Sequence, residues 1–139
     1  MALIPHRDPF LLIDRVVELE PAVRAVAEHD FTGRESYFAG HFPGNPIVPG
    51  VILVESMAQA ATVAAMAHPD YRNGLGLFAA IESMRFKRIV RPGETARFEC
   101  VFEKMRRGVA RAAVRTTVNG ELAAEGVIIA AFQKQPPAP

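Results

Sequence analysis

The sequence has one cysteine, no tryptophan and no excess of charge of either sign. The single cysteine, Cys100, excludes an intrachain disulfide. Sixteen basic and fifteen acidic side chains leave a formal charge of +1, whereas a protein that binds nucleic acid non-specifically normally carries a clear positive excess. We therefore expect no nucleic acid among its partners.

A long uninterrupted hydrophobic run is also missing. The most apolar segment, residues 51–67, contains Glu55, Ser56 and Gln59, which argues against a membrane span. The amino terminus has neither the cationic start nor the apolar run of a signal peptide. These features predict a cytoplasmic protein with no membrane partner.

The length of 139 residues and a hydrophobic content of 50% predict one globular domain over residues 1–139. The proline-rich tail at 136–139 is expected to fray. Short runs at Phe10–Glu18 and Val23–His29 predict strands in a mixed amino-terminal region.

A single helix is predicted at Val51–Ala67, entered through Pro49-Gly50 and stopped near His68-Pro69. Apolar and polar residues then alternate with the period of a strand, and an Asn-Gly pair predicts a tight hairpin turn. The segments concerned are 97–103, 111–118, the turn 119–120, and 121–132. Because a nearly all-round apolar helix must be buried, we predict an α+β fold in which a curved antiparallel sheet wraps around the central helix.

The segment that precedes the helix is unusual. His41–Gly50 (HFPGNPIVPG) holds three prolines and two glycines in ten positions, so its backbone is stiff. One interpretation is a rigid loop whose only role is to orient the helix. The other interpretation is functional, because His41 opens the loop and Glu55 follows on the first turns of the helix.

A carboxylate among apolar neighbours must be protonated, paired or kept for function, so burial is expected to raise the pKa of Glu55. Helical spacing places Gln59 and Thr62 on the same stripe, which also fits a buried polar network or a contact with a second subunit. The functional hypothesis adds His41 as a base and the Gly50 N–H, at the positive end of the helix, as a donor to an oxyanion. Together these groups suit proton abstraction beside a carbonyl and protonation of a leaving hydroxyl, which is a dehydration.

The segment Ala39–Ala61 (AGHFPGNPIVPGVILVESMAQAA) closely resembles the signature of the 3-hydroxyacyl-[acyl-carrier-protein] dehydratases of type II fatty-acid synthesis. The resemblance includes the thirteen residues between the histidine and the glutamate. It continues in Ile4–Leu19 (IPHRDPFLLIDRVVEL) and Ile81–Glu94 (IESMRFKRIVRPGE), and so covers nearly the whole chain.

This resemblance implies a hot-dog fold and a dimer, often assembled further, whose active site takes its histidine from one subunit and its glutamate from the other. By position, His41 would take the C2 proton of a (3R)-3-hydroxyacyl chain and Glu55 would protonate the departing 3-hydroxyl, which gives the trans-2-enoyl thioester. The Gly50 N–H would polarise the thioester carbonyl, and no metal or organic cofactor is implied. From the i,i+4 spacing we predict that Gln59 orients Glu55.

Two residues depart from the family pattern. Asp8 stands where the family usually has an aromatic residue, and Ser56 stands where alanine is usual. Neither is the proposed acid or base, but they leave open a specialised polyketide or polyene pathway. The sister dehydratase that also isomerises the double bond typically has aspartate at the position of Glu55, so glutamate favours simple dehydration.

Basic residues are concentrated in one segment. Residues 84–115 hold ten of the sixteen bases and only three acids. By resemblance, Arg85, Lys87 and Arg88 lie on a surface that could dock an acidic acyl carrier protein. The alternative interpretation is an ordinary solvated face.

The remaining candidate residues have simpler interpretations. His6, His29 and His68 show no metal-ligand spacing with one another or with Cys100, so no metal site is predicted. Cys100 lies on an alternating strand and is predicted to be a small core residue.

The acyl chain and the subunit composition stay open. Leu75, Leu77 and Phe78 could line an acyl tunnel or pack in the core, and the sequence does not give the length of the chain. Two other functions compete with dehydration: a hot-dog thioesterase, and a non-catalytic subunit that binds acyl chain or carrier in a heterodimer with a paralogue. Both the acid and the base are retained, which favours the dehydratase.

Overall fold

The computed structural model describes residues 3–133, and the tail predicted to fray lies outside them. Six strands and one long helix make up the fold, with short 3₁₀ helices at Ser36–Ala39 and Pro69–Tyr71. The elements are β1 (Arg15–Glu20), β2 (Arg24–Asp30), α1 (Gly50–Met66), β3 (Leu75–Phe86), β4 (Thr95–Arg106), β5 (Val109–Val118) and β6 (Glu121–Gln133).

The strands form one antiparallel sheet in the order β1-β2-β4-β5-β6-β3, with α1 packed against it. The core lies between helix and sheet and includes Met57 from α1 and Phe98 from β4, both fully buried. Cys100 is also fully buried there, as predicted, and burial raises the pKa of its thiol to about 12. The α+β prediction is therefore confirmed.

Helix α1 begins and ends one residue before the predicted positions. Pro49 is extended, with φ −59° and ψ 139°, and the helix starts at Gly50. Twelve of its seventeen residues are buried, because the sheet and the amino-terminal segment cover most of its circumference. No helix in residues 3–133 is long and apolar enough to cross a membrane.

The hairpin between β5 and β6 has the predicted turn. Asn119 and Gly120 have φ angles of 51° and 79°, and both signs match the two-residue turn that an Asn-Gly pair favours. The turn sets the register in which Val118 pairs with Glu121. Local chemistry was sufficient to predict this element.

The first predicted strand, Phe10–Glu18, is wrong in its first half. Strand β1 starts only at Arg15. The Leu12 N–H and the Phe10 carbonyl are instead hydrogen bonded to the side chain of Gln59 on α1. Because these backbone groups are occupied by the helix, this stretch does not pair with a strand.

Strand β3 is an edge of the sheet and leaves apolar side chains uncovered. Leu77, Phe78 and Ile81 are 50%, 45% and 50% exposed, and Leu75 is 38% exposed. Core packing of Leu75, Leu77 and Phe78, one of the two interpretations above, is therefore wrong for the single chain. An apolar, unpaired edge strand is a place where another chain can add.

Candidate active site

The loop before α1 holds His41 in one tautomer. The Ile47 N–H donates to the His41 carbonyl at 2.9 Å, and His41 Nδ1 lies 3.1 Å from the Ile47 carbonyl oxygen. A carbonyl oxygen only accepts, so Nδ1 must carry the proton. The lone pair of Nε2 is left free, as a general base requires.

Further contacts make this loop rigid. Phe42 and Asn45 exchange two backbone hydrogen bonds of 3.0 and 2.9 Å, and the Val48 N–H donates to the Val90 carbonyl at 2.8 Å. The Phe42 ring stacks on the imidazole of His41 with a centroid separation of 4.2 Å. The prolines thus act together with specific hydrogen bonds to hold the His41 imidazole in a fixed position.

Gly50 is the first residue of α1, where backbone N–H groups have no partner within the helix. A Cβ atom placed on Gly50 would lie 2.9 Å from Cε1 of Phe86, closer than real Cβ atoms approach. The glycine therefore allows the Phe86 ring to pack directly against the start of the helix.

Glu55 is a carboxyl held in apolar surroundings. Its side chain is 18% exposed, and desolvation by burial raises its pKa. Its Oε2 atom is buried and has no hydrogen-bond partner among the described residues. A raised pKa makes the protonated form of Glu55 easier to reach than in an exposed glutamate.

A small cavity beside Glu55 is lined by His6, Thr62, Leu77 and Phe78, among others. Its volume is about 30 Å³, enough for roughly one water molecule. This cavity is therefore too small for an acyl substrate, and His41 does not line it.

Within residues 3–133, the basic side chain within 4.0 Å of the Glu55 carboxyl is that of His6. His6 Nε2 lies 3.9 Å from Glu55 Oε1. The chain thus does not bring His41 and Glu55 together by itself, and it places a different histidine beside the acid. No spacing rule connects residues 6 and 55, so sequence reasoning missed this pair.

Gln59 has other partners than the predicted one. Its Nε2 donates to the Phe10 carbonyl at 2.8 Å, and its Oε1 accepts from the Leu12 N–H at 2.9 Å. Both amide atoms are committed, and the direct contact with Glu55 that the spacing predicted is absent from the described residues. Gln59 instead ties the amino-terminal segment, residues 4–12, to the helix.

The other polar side chains near Glu55 are satisfied within α1. The Thr62 hydroxyl donates to the Ala58 carbonyl at 2.9 Å, and the Ser56 hydroxyl donates to the Ile52 carbonyl at 2.8 Å. The buried Ser56 thus replaces the usual alanine without leaving an unpaired hydroxyl.

A family model described as the FabA-like domain matches residues 4–127 of the chain. The chain is 55% identical over 129 residues to the 3-hydroxyacyl-[acyl-carrier-protein] dehydratase FabZ of Chloroflexus aggregans, covering 93% of this chain and 90% of that protein. It belongs to the FabA-like family. The FabZ of Thermomicrobium roseum is 51% identical over 130 residues, which cover 94% of this chain and 87% of that protein.

The fold of this FabA-like domain also matches a solved structure. A chain of the dehydratase heterocomplex ApeI:P from Xenorhabdus doucetiae superposes with a TM-score of 0.82, covering 96% of this chain and 90% of that chain. The sequence identity is 16%, so this likeness concerns the fold alone. The predicted hot-dog fold is confirmed.

The three basic residues predicted to dock a carrier protein differ in their surroundings. Arg88 is bound by Glu94 at 2.6 Å and by Glu121 at 3.1 Å, so its guanidinium is engaged within the chain. Arg85 and Lys87 are exposed, and neither has a carboxylate within 4.0 Å among residues 3–133. Two of the three predicted cations thus remain free to meet a partner.

Proposed function

We propose that this protein dehydrates a (3R)-3-hydroxyacyl-[acyl-carrier-protein] to the trans-2-enoyl thioester in fatty-acid synthesis. Its site lies between two copies of the chain, with His41 of one copy as the base and Glu55 of the other as the acid. The observation that carries the proposal is Glu55, a buried carboxyl of raised pKa whose Oε2 has no hydrogen-bond partner among residues 3–133, in a FabA-like domain.

The atoms balance over one turnover. His41 Nε2 takes the C2 proton, the C2–H electrons form the C2–C3 double bond, and the C3–O bond breaks. Glu55 gives its proton to the departing hydroxyl, which leaves as water. The Gly50 N–H donates to the thioester oxygen while negative charge develops there. His41 has then gained one proton and Glu55 has lost one, so a proton transfer between them restores the site, and no metal or organic cofactor is needed.

Two observations support a shared site. Acid and base are not in contact within one chain, and the cavity beside Glu55 is too small for substrate. The apolar edge of β3 ends beside that cavity, since Leu77 and Phe78 line it. A second copy on this edge would cover the apolar side chains and complete the acyl site.

Charge and position support docking of an acidic carrier protein at Arg85 and Lys87. Both flank Phe86, whose ring packs on Gly50. Because side chains alternate along an extended chain, the two cations are expected to point away from the Phe86 ring, and they are its sequence neighbours beside Gly50. Arg88, which is paired with Glu94 and Glu121, has a structural role in this proposal and not a docking role.

The experiment combines an activity assay with subunit mixing. Carrier-linked 3-hydroxyacyl thioesters of varied length and unsaturation are incubated with the protein, and loss of one water is followed by intact-mass spectrometry. The preferred substrate then indicates acyl length and pathway, including a polyketide or polyene alternative. Release of free carrier would favour the thioesterase. Absence of any reaction would favour a non-catalytic subunit that needs a paralogue. The predicted cytoplasmic location is tested separately by cell fractionation.

Subunit mixing tests the shared site. His41→Ala and Glu55→Gln dimers are each expected to be inactive. A reassorted mixture contains dimers with one intact site, because the wild-type His41 and Glu55 then come from different chains. Random reassortment in equal amounts predicts recovery of about a quarter of wild-type activity. Inactive mixtures that nevertheless contain the mixed dimer would refute a site shared between subunits.

A further inference from the structure

His6 has no part in the proposed acid–base pair, yet it faces the acid. Its Nε2 lies 3.9 Å from Glu55 Oε1, and the two side chains are 19% and 18% exposed. His6 Nδ1 and Glu55 Oε2 are both buried without a hydrogen-bond partner in the described residues. Two polar groups with unused hydrogen-bonding capacity therefore lie next to each other in a poorly hydrated place.

The amino-terminal segment holds His6 in this position from both sides. Ile4 is 1% exposed and anchors one end in the core. Arg7 Nη1 donates to the carbonyls of Ile4 and His6, each at 2.7 Å. Gln59 binds the other end of the segment to α1. These bonds give a segment without regular secondary structure a defined path over Glu55.

We propose that His6 is a positioning residue for Glu55: its Nε2–H donates to Oε1 and so holds the carboxyl in one orientation for proton transfer. An approach of about 1 Å brings the two atoms within hydrogen-bond distance. Glu55 Oε2 is buried and has no hydrogen-bond partner among residues 3–133, so a bond to Oε1 would fix the rotation of a carboxyl that is otherwise unrestrained. This inference rests on the proposed role of Glu55 as the acid.

The chemistry of an uncharged imidazole supports this role. Burial and the charge of Arg7 lower the pKa of His6, so the ring is neutral near pH 7 and carries one proton. With that proton on Nε2, the buried Nδ1 is a bare acceptor. As Glu55 releases its proton, the His6–Glu55 bond becomes charge-assisted and therefore stronger in the transition state than in the ground state. Its loss is expected to lower kcat and leave KM nearly unchanged.

Three variants of the full-length dimer test the proposal. His6→Leu removes the donor and is expected to lower kcat about 10- to 100-fold with KM within about twofold. His6→Gln retains an N–H donor at the end of a side chain of similar reach and is expected to restore kcat to within about threefold of wild type. His68→Leu, the matched control, removes a more exposed imidazole beyond the end of α1 and is expected to leave kcat unchanged.

A second measurement detects the contact between His6 and Glu55 without an activity assay. The carboxyl titration of ¹³C-labelled Glu55 is followed by NMR in wild type and both His6 variants. Loss of a donor to the carboxylate is expected to raise the pKa of Glu55 in His6→Leu and to leave it near the wild-type value in His6→Gln.

The two measurements separate the possible failures. Unchanged kcat in His6→Leu, or equal losses in both His6 variants, would overturn the positioning role. An unchanged Glu55 titration in His6→Leu would overturn the contact itself. If the wild-type protein removes no water from any thioester, the proposed function is refuted. If the Glu55 titration nevertheless responds to His6→Leu, the contact between His6 and Glu55 still holds.

Discussion

Gln59→Leu tests the anchoring of the amino-terminal segment. Gln59 is fully buried, and Leu12, whose N–H it binds, is 3% exposed. The substitution nearly conserves volume, so it removes two hydrogen bonds and creates little cavity. Each lost bond contributes about 1 kcal/mol, and a stranded buried N–H costs about 1–3 kcal/mol more. We expect the free energy of unfolding to fall by about 3–5 kcal/mol.

Thr62→Val is the matched control on the same helix. The Thr62 hydroxyl donates to the Ala58 carbonyl, which also accepts the backbone N–H one helical turn later, so its loss strands no group. We expect a loss below about 1 kcal/mol. Both variants are unfolded in urea and followed by circular dichroism at one protein concentration, because the stability of the proposed dimer would depend on concentration. A loss in Gln59→Leu no larger than that in Thr62→Val would refute the anchoring argument.

Two further predictions concern charge. Substitution of both Arg85 and Lys87 by glutamate is expected to raise KM for carrier-linked substrate about tenfold at low salt. KM for a small thioester that lacks the carrier is expected to change little. If the variant and the wild type have equal KM values for the carrier-linked substrate, this docking surface is excluded. Because burial raises the folded-state pKa of Glu55 above its unfolded value, ionisation of this group destabilises the fold as pH rises above the ordinary glutamate range. Glu55→Gln is therefore expected to be more stable than wild type at pH 7 and to lose that advantage in acid. Denaturation of both proteins at pH 7 and at an acidic pH measures the difference. A Glu55→Gln variant that is no more stable than wild type at pH 7 would contradict this prediction.

The sequence predicted the elements whose cause is local. The Asn119-Gly120 turn follows from the positive φ angles that these two residues tolerate, and the bounds of α1 follow from Pro49 and the His68-Pro69 stop. The alternation along β4 and β5 predicted which side chains face the helix, Cys100 included. The motif at residues 39–61 was sufficient to indicate the family.

Contacts between distant residues were beyond such reasoning. Gln59 lies at a suitable spacing to touch Glu55, but it binds backbone groups 47 and 49 residues away, which have no other hydrogen-bond partner among residues 3–133. Arg88 looks like a surface cation in the sequence, whereas the fold places two carboxylates around it. In each case the need to satisfy a buried or paired polar group decided the outcome, and that need depends on the tertiary path of the chain.

The sequence by itself determined the helix, the strand periodicity, the rigid loop and the presence of an acid and a base in one motif, because each depends on residues close along the chain. Only the tertiary structure decided that β3 is an apolar edge, that His41 and Glu55 do not meet within one copy, and that His6 lies beside Glu55. These features arise from packing across the whole sheet and helix, where residues far apart in sequence compete for the same buried space.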